Sequence, residues 1–181
     1  IEKYISTKNK CIIIGGGIGF IPCLSYHKSK NKIIVSEIDE TITPLLNSNL
    51  KNNKCDFLVI EGNLIIKKDN DYEDFYMSKN FIANSKFALK SFVEKKKIKN
   101  YLLKDLHNYQ NYNTLIIDGE GIEEHFLNNL NLISYIKYLF FELHEELLDN
   151  EKIKKIFSNL RKNNFIMKDN CFNSFYFKKN E

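Results

Sequence analysis

The run Cys11-Ile12-Ile13-Ile14-Gly15-Gly16-Gly17-Ile18-Gly19-Phe20 passes from four consecutive apolar residues to four glycines within five positions. Its apolar half is short, β-branched and continuous, the pattern of a strand covered on both faces. Residues 19–29 read as a helix, with Pro22 in the first turn, where a missing N–H costs little. Between strand and helix, glycine answers two needs: a turn that uses positive φ, and close approach of a ligand to the backbone. The helix start then offers free N–H groups to a polar ligand.

Working outward, residues 32–37 form a second buried strand and residues 41–53 a helix, with Pro44 near its start and Leu45, Leu46 and Leu50 on one face. Residues 56–60 make a third strand. Residues 63–112 give no clean period, and 67–74 are polar and turn-rich. Regularity returns with a strand at 114–118, a helix at 120–130, a strand at 135–142 and a helix at 149–163. Two closing strands follow at 164–167 and 172–177. Alternating β and α elements imply a parallel sheet with helices on both faces. The last two strands are joined by residues 168–171, too few for a parallel crossover, so they form an antiparallel hairpin. The expected fold is one α/β domain over residues 1–181. It is a Rossmann-like (class I) methyltransferase architecture: a doubly wound, mostly parallel sheet ending in an antiparallel hairpin.

Composition narrows the function classes. Hydrophobic residues at 43% and charged residues at 28% are ordinary for a globular protein, and 181 residues suffice for one substantial core. No stretch approaches 18 consecutive apolar residues, so no membrane span is expected. The chain starts Ile1-Glu2-Lys3-Tyr4, without an initiator Met or the apolar core of a signal peptide, as an excerpt of a longer polypeptide would. The net charge of +4 is a mild excess. Its densest run, Lys95-Lys96-Lys97-Ile98-Lys99, lacks an aromatic ladder and reads as a solvated helix end, so no nucleic-acid partner is expected. Cys11, Cys23, Cys55 and Cys171 contain no Cys-x-x-Cys pair, which points to a reduced, cytoplasmic setting and away from a cysteine zinc site.

The glycine spacing discriminates between ligands. A dinucleotide fingerprint is Gly-x-Gly-x-x-Gly, and from Gly15 its third position falls on Phe20. The observed Gly15-x-Gly17-x-Gly19 is the spacing methyltransferases use around the methionine part of S-adenosylmethionine. Glu37 closes the second strand, 18 residues beyond Gly19, where a carboxylate can accept from both ribose hydroxyls. That feature serves NAD enzymes equally. After the third strand comes Glu61-Gly62-Asn63; Asn63 is placed to bond an adenine amine, or the segment is a plain turn.

A second informative segment is Ile116-Ile117-Asp118-Gly119-Glu120-Gly121-Ile122-Glu123. Asp118 ends a strand, and ligands of open α/β sheets gather at such ends. Glu120 and Glu123 fall in a first helical turn, where the helix dipole favours acids. The next strand ends Phe140-Phe141-Glu142-Leu143-His144, with Glu142 and His144 two apart. If these two strands are neighbours, Asp118, Glu142 and His144 converge as candidate catalytic groups, with His144 a general base for a hydroxyl acceptor. The same groups suit Mg²⁺, but no metal is assigned to them. The alternative for His144 is an exposed residue opening the polar stretch His144-Glu145-Glu146. His27, His107 and His125 read as surface residues.

These segments, in this order, resemble the FkbM-type methyltransferases. That family's pattern has a hydrophobic strand ending in Asp-x-Glu-Gly-x-Glu, matched at residues 118–123, and later a strand ending in Glu-x-His, matched at Glu142 and His144. Residues 81–85 are similar to the family's Phe- and Ser-containing segment, and the resemblance spans roughly residues 11–178. It implies methyl transfer from S-adenosylmethionine to an oxygen of a sugar or other small hydroxylated metabolite. One departure is Ile13, where the family carries an acid two residues before the first glycine. Ile14-Gly15-Gly16-Gly17 with Glu37-Ile38-Asp39 also resembles the spermidine-synthase branch, which transfers an aminopropyl group; the segment 118–123 lacks that branch's acidic signature. A non-catalytic domain of the same fold and a nicotinamide oxidoreductase are the remaining readings. Residues 64–112 are expected to set the acceptor.

Overall fold

Every side chain of Cys11–Ile14 is buried, which a strand achieves only when both of its faces are covered. In the computed structural model, which describes residues 1–67, 69–78, 92–119, 121–144 and 147–180, this is β1. Residues 81–85, Glu120, Glu145 and Glu146, all singled out from sequence, lie outside the described residues. After β1 (Cys11–Ile14) come α1 (Phe20–Ser29), β2 (Ile33–Glu37), α2 (Thr43–Asn52), β3 (Phe57–Glu61), β4 (Asn63–Ile65), β5 (Tyr72–Ser78) and β6 (Phe92–Leu102). Then follow α3 (Leu103–Tyr109), β7 (Thr114–Ile117), α4 (Glu123–Leu127), a 3₁₀ turn at Leu130–Ile133, β8 (Tyr138–Glu142), α5 (Asn150–Lys162), β9 (Phe165–Cys171) and β10 (Ser174–Lys179).

The main sheet has seven strands in the order β3-β2-β1-β7-β8-β10-β9. Neighbours from β3 to β8 pair in parallel, and β10 runs antiparallel to both β8 and β9. Alternate residues of β1 supply two separate cores. Ile12 and Ile14 pack in one cluster with Phe126, Ile156 and Leu160, on the side of α4 and α5. Cys11 and Ile13 pack in the other with Leu46 and Leu50 of α2. Each such leucine contributes about 1.5–3 kcal/mol by leaving water. The result is a doubly wound, Rossmann-like methyltransferase sheet closed by a hairpin, as the alternation of elements predicts.

Several boundaries shift for physical reasons. Leu45 is exposed, so the buried stripe of α2 is Thr43, Leu46 and Leu50. The helix expected at 120–130 is only Glu123–Leu127 before the chain tightens into the 3₁₀ turn. β8 starts at Tyr138 rather than 135. β9 runs on through Cys171, leaving Phe172 and Asn173 as the hairpin turn; Phe172 has φ +51° and is 95% exposed. A bulge shifts the β9–β10 register between Tyr176 and Phe177 without breaking the alternation of β10. Phe175 and Phe177 both stack on Phe141, while Tyr176 points to the opposite face against Phe140.

Within the stretch without a clean period, the described residues include a second, three-stranded sheet, β4-β6-β5, followed by α3. Lys95–Lys99 is therefore not a helix end but the middle of β6, antiparallel to β5. Lys95 pairs with Asp74 at 2.8 Å and Lys96 with Glu40 at 2.7 Å. The surface reading of two histidines is also corrected. His107 stacks on Tyr135 with ring centroids 3.8 Å apart, and Nε2 of His125 accepts the Ile66 N–H at 3.0 Å. His27 is exposed, as expected.

Candidate functional site

The glycine turn is drawn down onto the end of β2, with the N–H groups of Gly15 and Gly16 both donating to the Ser36 carbonyl at 3.1 Å. Gly15 has φ +85°, and a Cβ there would lie 1.9 Å from the Asp118 carbonyl oxygen, so no side chain fits. Gly17 has φ +48°, but its Cβ would meet nothing within 4 Å because it opens onto a cleft. Gly19, also at positive φ, caps the start of α1 and is not among the residues lining that cleft. Ile13 is fully buried in the core on the α2 side and does not reach the cleft either.

The cleft has a volume of about 410 Å³, within the range of roughly 300–1,000 Å³ found for small-molecule sites. Its polar residues sit at the carboxyl ends of five successive strands of the main sheet. Asn63 follows β3, Glu37 ends β2, Gly15–Gly17 follow β1, Asp118 follows β7, and Glu142 and His144 end β8. Ile38 and Phe75 add apolar wall near Asn63, and the side chains of Ile18 and Phe20, 44% and 72% exposed, stand at the opening.

Glu37 is buried, and its carboxyl accepts N–H groups from Gly17 at 2.8 Å, Ile38 at 2.8 Å and Asp39 at 2.9 Å. Burial raises its pKa, and these three hydrogen bonds pull against that without cancelling it. Asn63 is fully buried. Its amide donates to Asn100 at 2.8 Å and to Glu73 at 3.1 Å, while its Oδ1 has no hydrogen-bond partner. A buried orphan acceptor in a cleft wall is a place where a ligand donor lowers the free energy.

At the other end, Asp118, Glu142 and His144 are brought together, because β7 and β8 are hydrogen-bonded neighbours. Asp118 opens to the cleft, yet the surrounding walls desolvate it and the Glu142 charge adds to the effect, so its carboxyl is pushed up. Glu142 accepts from the Asn173 amide at 2.8 Å, tying the hairpin turn to the site. The His144 side chain is 12% exposed, and its Nδ1 is hydrogen-bonded to Oε1 of Glu123. Glu123, the first residue of α4, is fully buried, and its Oε2 has no partner. Its contact with His144 was not foreseen from sequence, where the helix dipole accounts for an acid at this position. The usable signal was the pairing of Glu123 with the Glu-x-His at the next strand end. Phe75 was also missed, because it falls in the stretch without periodicity. Among the described residues, no group of three or more His, Cys, Asp or Glu is arranged to hold a metal ion.

Neither a family model nor a curated protein sequence matches the chain, so the likeness to the FkbM type rests on the motifs alone. Solved structures do match the fold. The chain is similar to precorrin-6y C5,15-methyltransferase from Geobacter metallireducens GS-15, with a TM-score of 0.55 and 10% identity, over 97% of this chain and 81% of that one. It is similar to a methyltransferase from Pyrococcus furiosus, with a TM-score of 0.56 and 12% identity, over 99% of this chain and 79% of that one. It is also similar to Aeropyrum pernix fibrillarin, solved with natively bound S-adenosyl-L-methionine, with a TM-score of 0.55 and 10% identity, over 96% of this chain and 67% of that one. At such identities the likeness is one of fold: the Rossmann-like fold of class I methyltransferases.

Proposed function

We propose that this chain is an S-adenosylmethionine-dependent methyltransferase that methylates a hydroxyl oxygen of a small molecule or glycan. The observation that carries the reading is the row of five strand ends, Asn63, Glu37, Gly15–Gly17, Asp118 and Glu142 with His144, along one cleft. The residues fit the donor. Gly17 leaves open space where a side chain would stand, the orphan Oδ1 of Asn63 suits an adenine amine, and Glu37 keeps one acceptor position, on Oε2, for a ribose hydroxyl.

Bound there, S-adenosylmethionine supplies a sulfonium methyl, whose S–C bond breaks as the acceptor oxygen takes it, leaving S-adenosylhomocysteine. The protein's contribution is mainly alignment, since orienting two bound reactants can remove about 7–11 kcal/mol of a barrier. The hydroxyl proton goes to a base, and Asp118 and His144 are the groups placed to receive it. The raised pKa of Asp118 makes it a stronger base than an ordinary aspartate. Glu142 steadies the same end through Asn173.

Calorimetric titration with S-adenosylmethionine, S-adenosylhomocysteine and NAD tests the cofactor. Both sulfur compounds should bind and NAD should not; no binding of either sulfur compound overturns the proposal. Glu37→Ala should weaken binding at least about tenfold, or 1.4 kcal/mol. Binding without turnover on any hydroxylated acceptor would favour the non-catalytic reading, whose support is Ile13 standing where the family it resembles carries an acid.

A further inference from the structure

A second cavity, of about 180 Å³, adjoins the cofactor cleft and shares Ile21, Asp118 and Glu142 with it. One wall is a row of three rings. Phe140 of β8 and Tyr176 of β10 are cross-strand partners whose rings lie 10° from parallel with centroids 4.5 Å apart. Tyr4 lies over Tyr176, again at 4.5 Å, and its hydroxyl donates to Asp169 of β9. The charged side chains of the lining are acidic: Asp118 and Glu142 where the cavities join, and Asp169 on the hairpin, with Lys3 3.9 Å from it; Asn170 and Ser174 add neutral polar groups. Among the described residues no lysine or arginine lines it, in a chain whose net charge is +4.

We propose that this cavity is the acceptor subsite and that it takes a single phenol-class ring, neutral or cationic, without an acidic group. Size sets the first limit, since an apolar cavity of about 150 Å³ already accommodates benzene. Chemistry sets the second. Aromatic pairs gain about 0.5–1.5 kcal/mol beyond area burial. A sugar ring, by contrast, brings hydroxyls that each need a partner, and the side chains of Ile21, Ile116 and Phe140 in the wall offer none. Charge sets the third, because a carboxylate or phosphate entering would face Asp118 and Glu142, and Asp169 with its charge partly offset by Lys3, whereas a phenol hydroxyl or an ammonium would be attracted. The shared Asp118 and Glu142 place the donating hydroxyl where the two cavities meet. The assignment as acceptor site rests on the methyltransferase reading, but occupancy by a ring does not. It also moves acceptor choice from residues 64–112, where the sequence placed it, to the N-terminal turn and the closing hairpin.

Ligand-observed NMR on the full chain, with and without S-adenosylhomocysteine, tests this with tyramine, 4-hydroxybenzyl alcohol, 4-hydroxybenzoate, methyl glucoside and a short RNA. Tyramine and the neutral alcohol should bind at least tenfold more tightly than 4-hydroxybenzoate. Asp169→Lys should narrow or reverse that preference. Tyr4→Ala should weaken both rings about tenfold, while Tyr4→Phe, which keeps the ring and the packing, should retain them. Equal binding of the carboxylate, preference for the glycoside or RNA, or indifference to Asp169→Lys overturns the proposal. S-adenosylhomocysteine affinity is titrated separately on the same variants and should not change. Its absence throughout would sink the methyltransferase reading, while the ring measurements would still decide this one.

Discussion

Gly15 and Gly17 both hold positive φ, yet a methyl group added to each meets different surroundings. At Gly15 it collides with the Asp118 carbonyl of the neighbouring strand end, so Gly15→Ala must push β1 and β7 apart. Its cost should exceed about 3 kcal/mol in a urea titration, at the upper end of ordinary point mutations. Gly17→Ala should cost only the left-handed backbone penalty of about 1–2 kcal/mol. It should instead lower S-adenosylhomocysteine affinity at least tenfold, because its methyl projects into the cleft. Glu37 makes a prediction in pH. Its folded pKa is raised above the ordinary 4.5 by burial, so the native state holds that proton more tightly than the unfolded chain does. Its contribution to stability is therefore present below 4.5 and is lost as pH rises through the folded value. Cofactor affinity should move the opposite way over that window, because a ribose hydroxyl needs the ionised acceptor. Titrations of stability and affinity from pH 4 upward should show the two trends crossing, and Glu37→Gln should flatten both. On the proposed mechanism, Glu123 acts through His144. Glu123→Gln should lower turnover about 10–100-fold with the KM for S-adenosylmethionine unchanged, whereas a purely structural role would move melting temperature and KM instead.

Elements were legible where one face or both faces of them are apolar. β1, β2 and β7 announce themselves as continuous β-branched runs, and α5 as a helix whose cap is written into the sequence. The Asp149 side chain accepts the Lys152 N–H at 2.8 Å. Asp149→Ala should cost about 1 kcal/mol by urea denaturation, the usual loss of an N-cap. β6 was not legible, because its run from Lys95 to Lys99 is lysine at four positions of five, forms ion pairs with Asp74 and Glu40, and buries only Ile98. Without apolar alternation the period that separates strand from helix has nothing to act on. β9 was read too short for a related reason. As the edge strand it buries Phe165 alone, and residues such as Lys168 and Asp169 that discourage edge pairing look like turn residues. The candidate site divides along the same line. Its glycines, Glu37, Asp118, Glu142 and His144 were found because they end readable strands. Phe75, on the three-stranded sheet, was not, and Glu123 was named as a helix-dipole acid and as the end of the 118–123 motif, without its His144 partner.

At the scale of the whole molecule, the cleft lies where the direction of sheet growth reverses. From β1 the chain builds outward through β2 to β3, then returns to place β7 on the other side of β1. The strand ends diverge at that switch point, which is why ligands of such sheets bind there. A ligand held by Glu37 on one side and by the end of β7 on the other ties the two halves together, and its binding energy becomes folding stability. At a hundredfold excess over Kd, S-adenosylhomocysteine should add about 2.7 kcal/mol. For a chain of this size that is a rise of roughly 5–10 °C in Tm, with no rise from NAD. Hydrogen exchange should localise the effect: amides of Gly15–Gly19, Ile38, Asp39 and Gly119 should slow, while those of β9 should not. A uniform slowing across both sheets would mean that the ligand stabilises only global unfolding and that the halves are already rigidly joined without it. Protection confined to the hairpin would place the sulfur compound in the aromatic cavity, and the assignments of the two cavities would have to be exchanged.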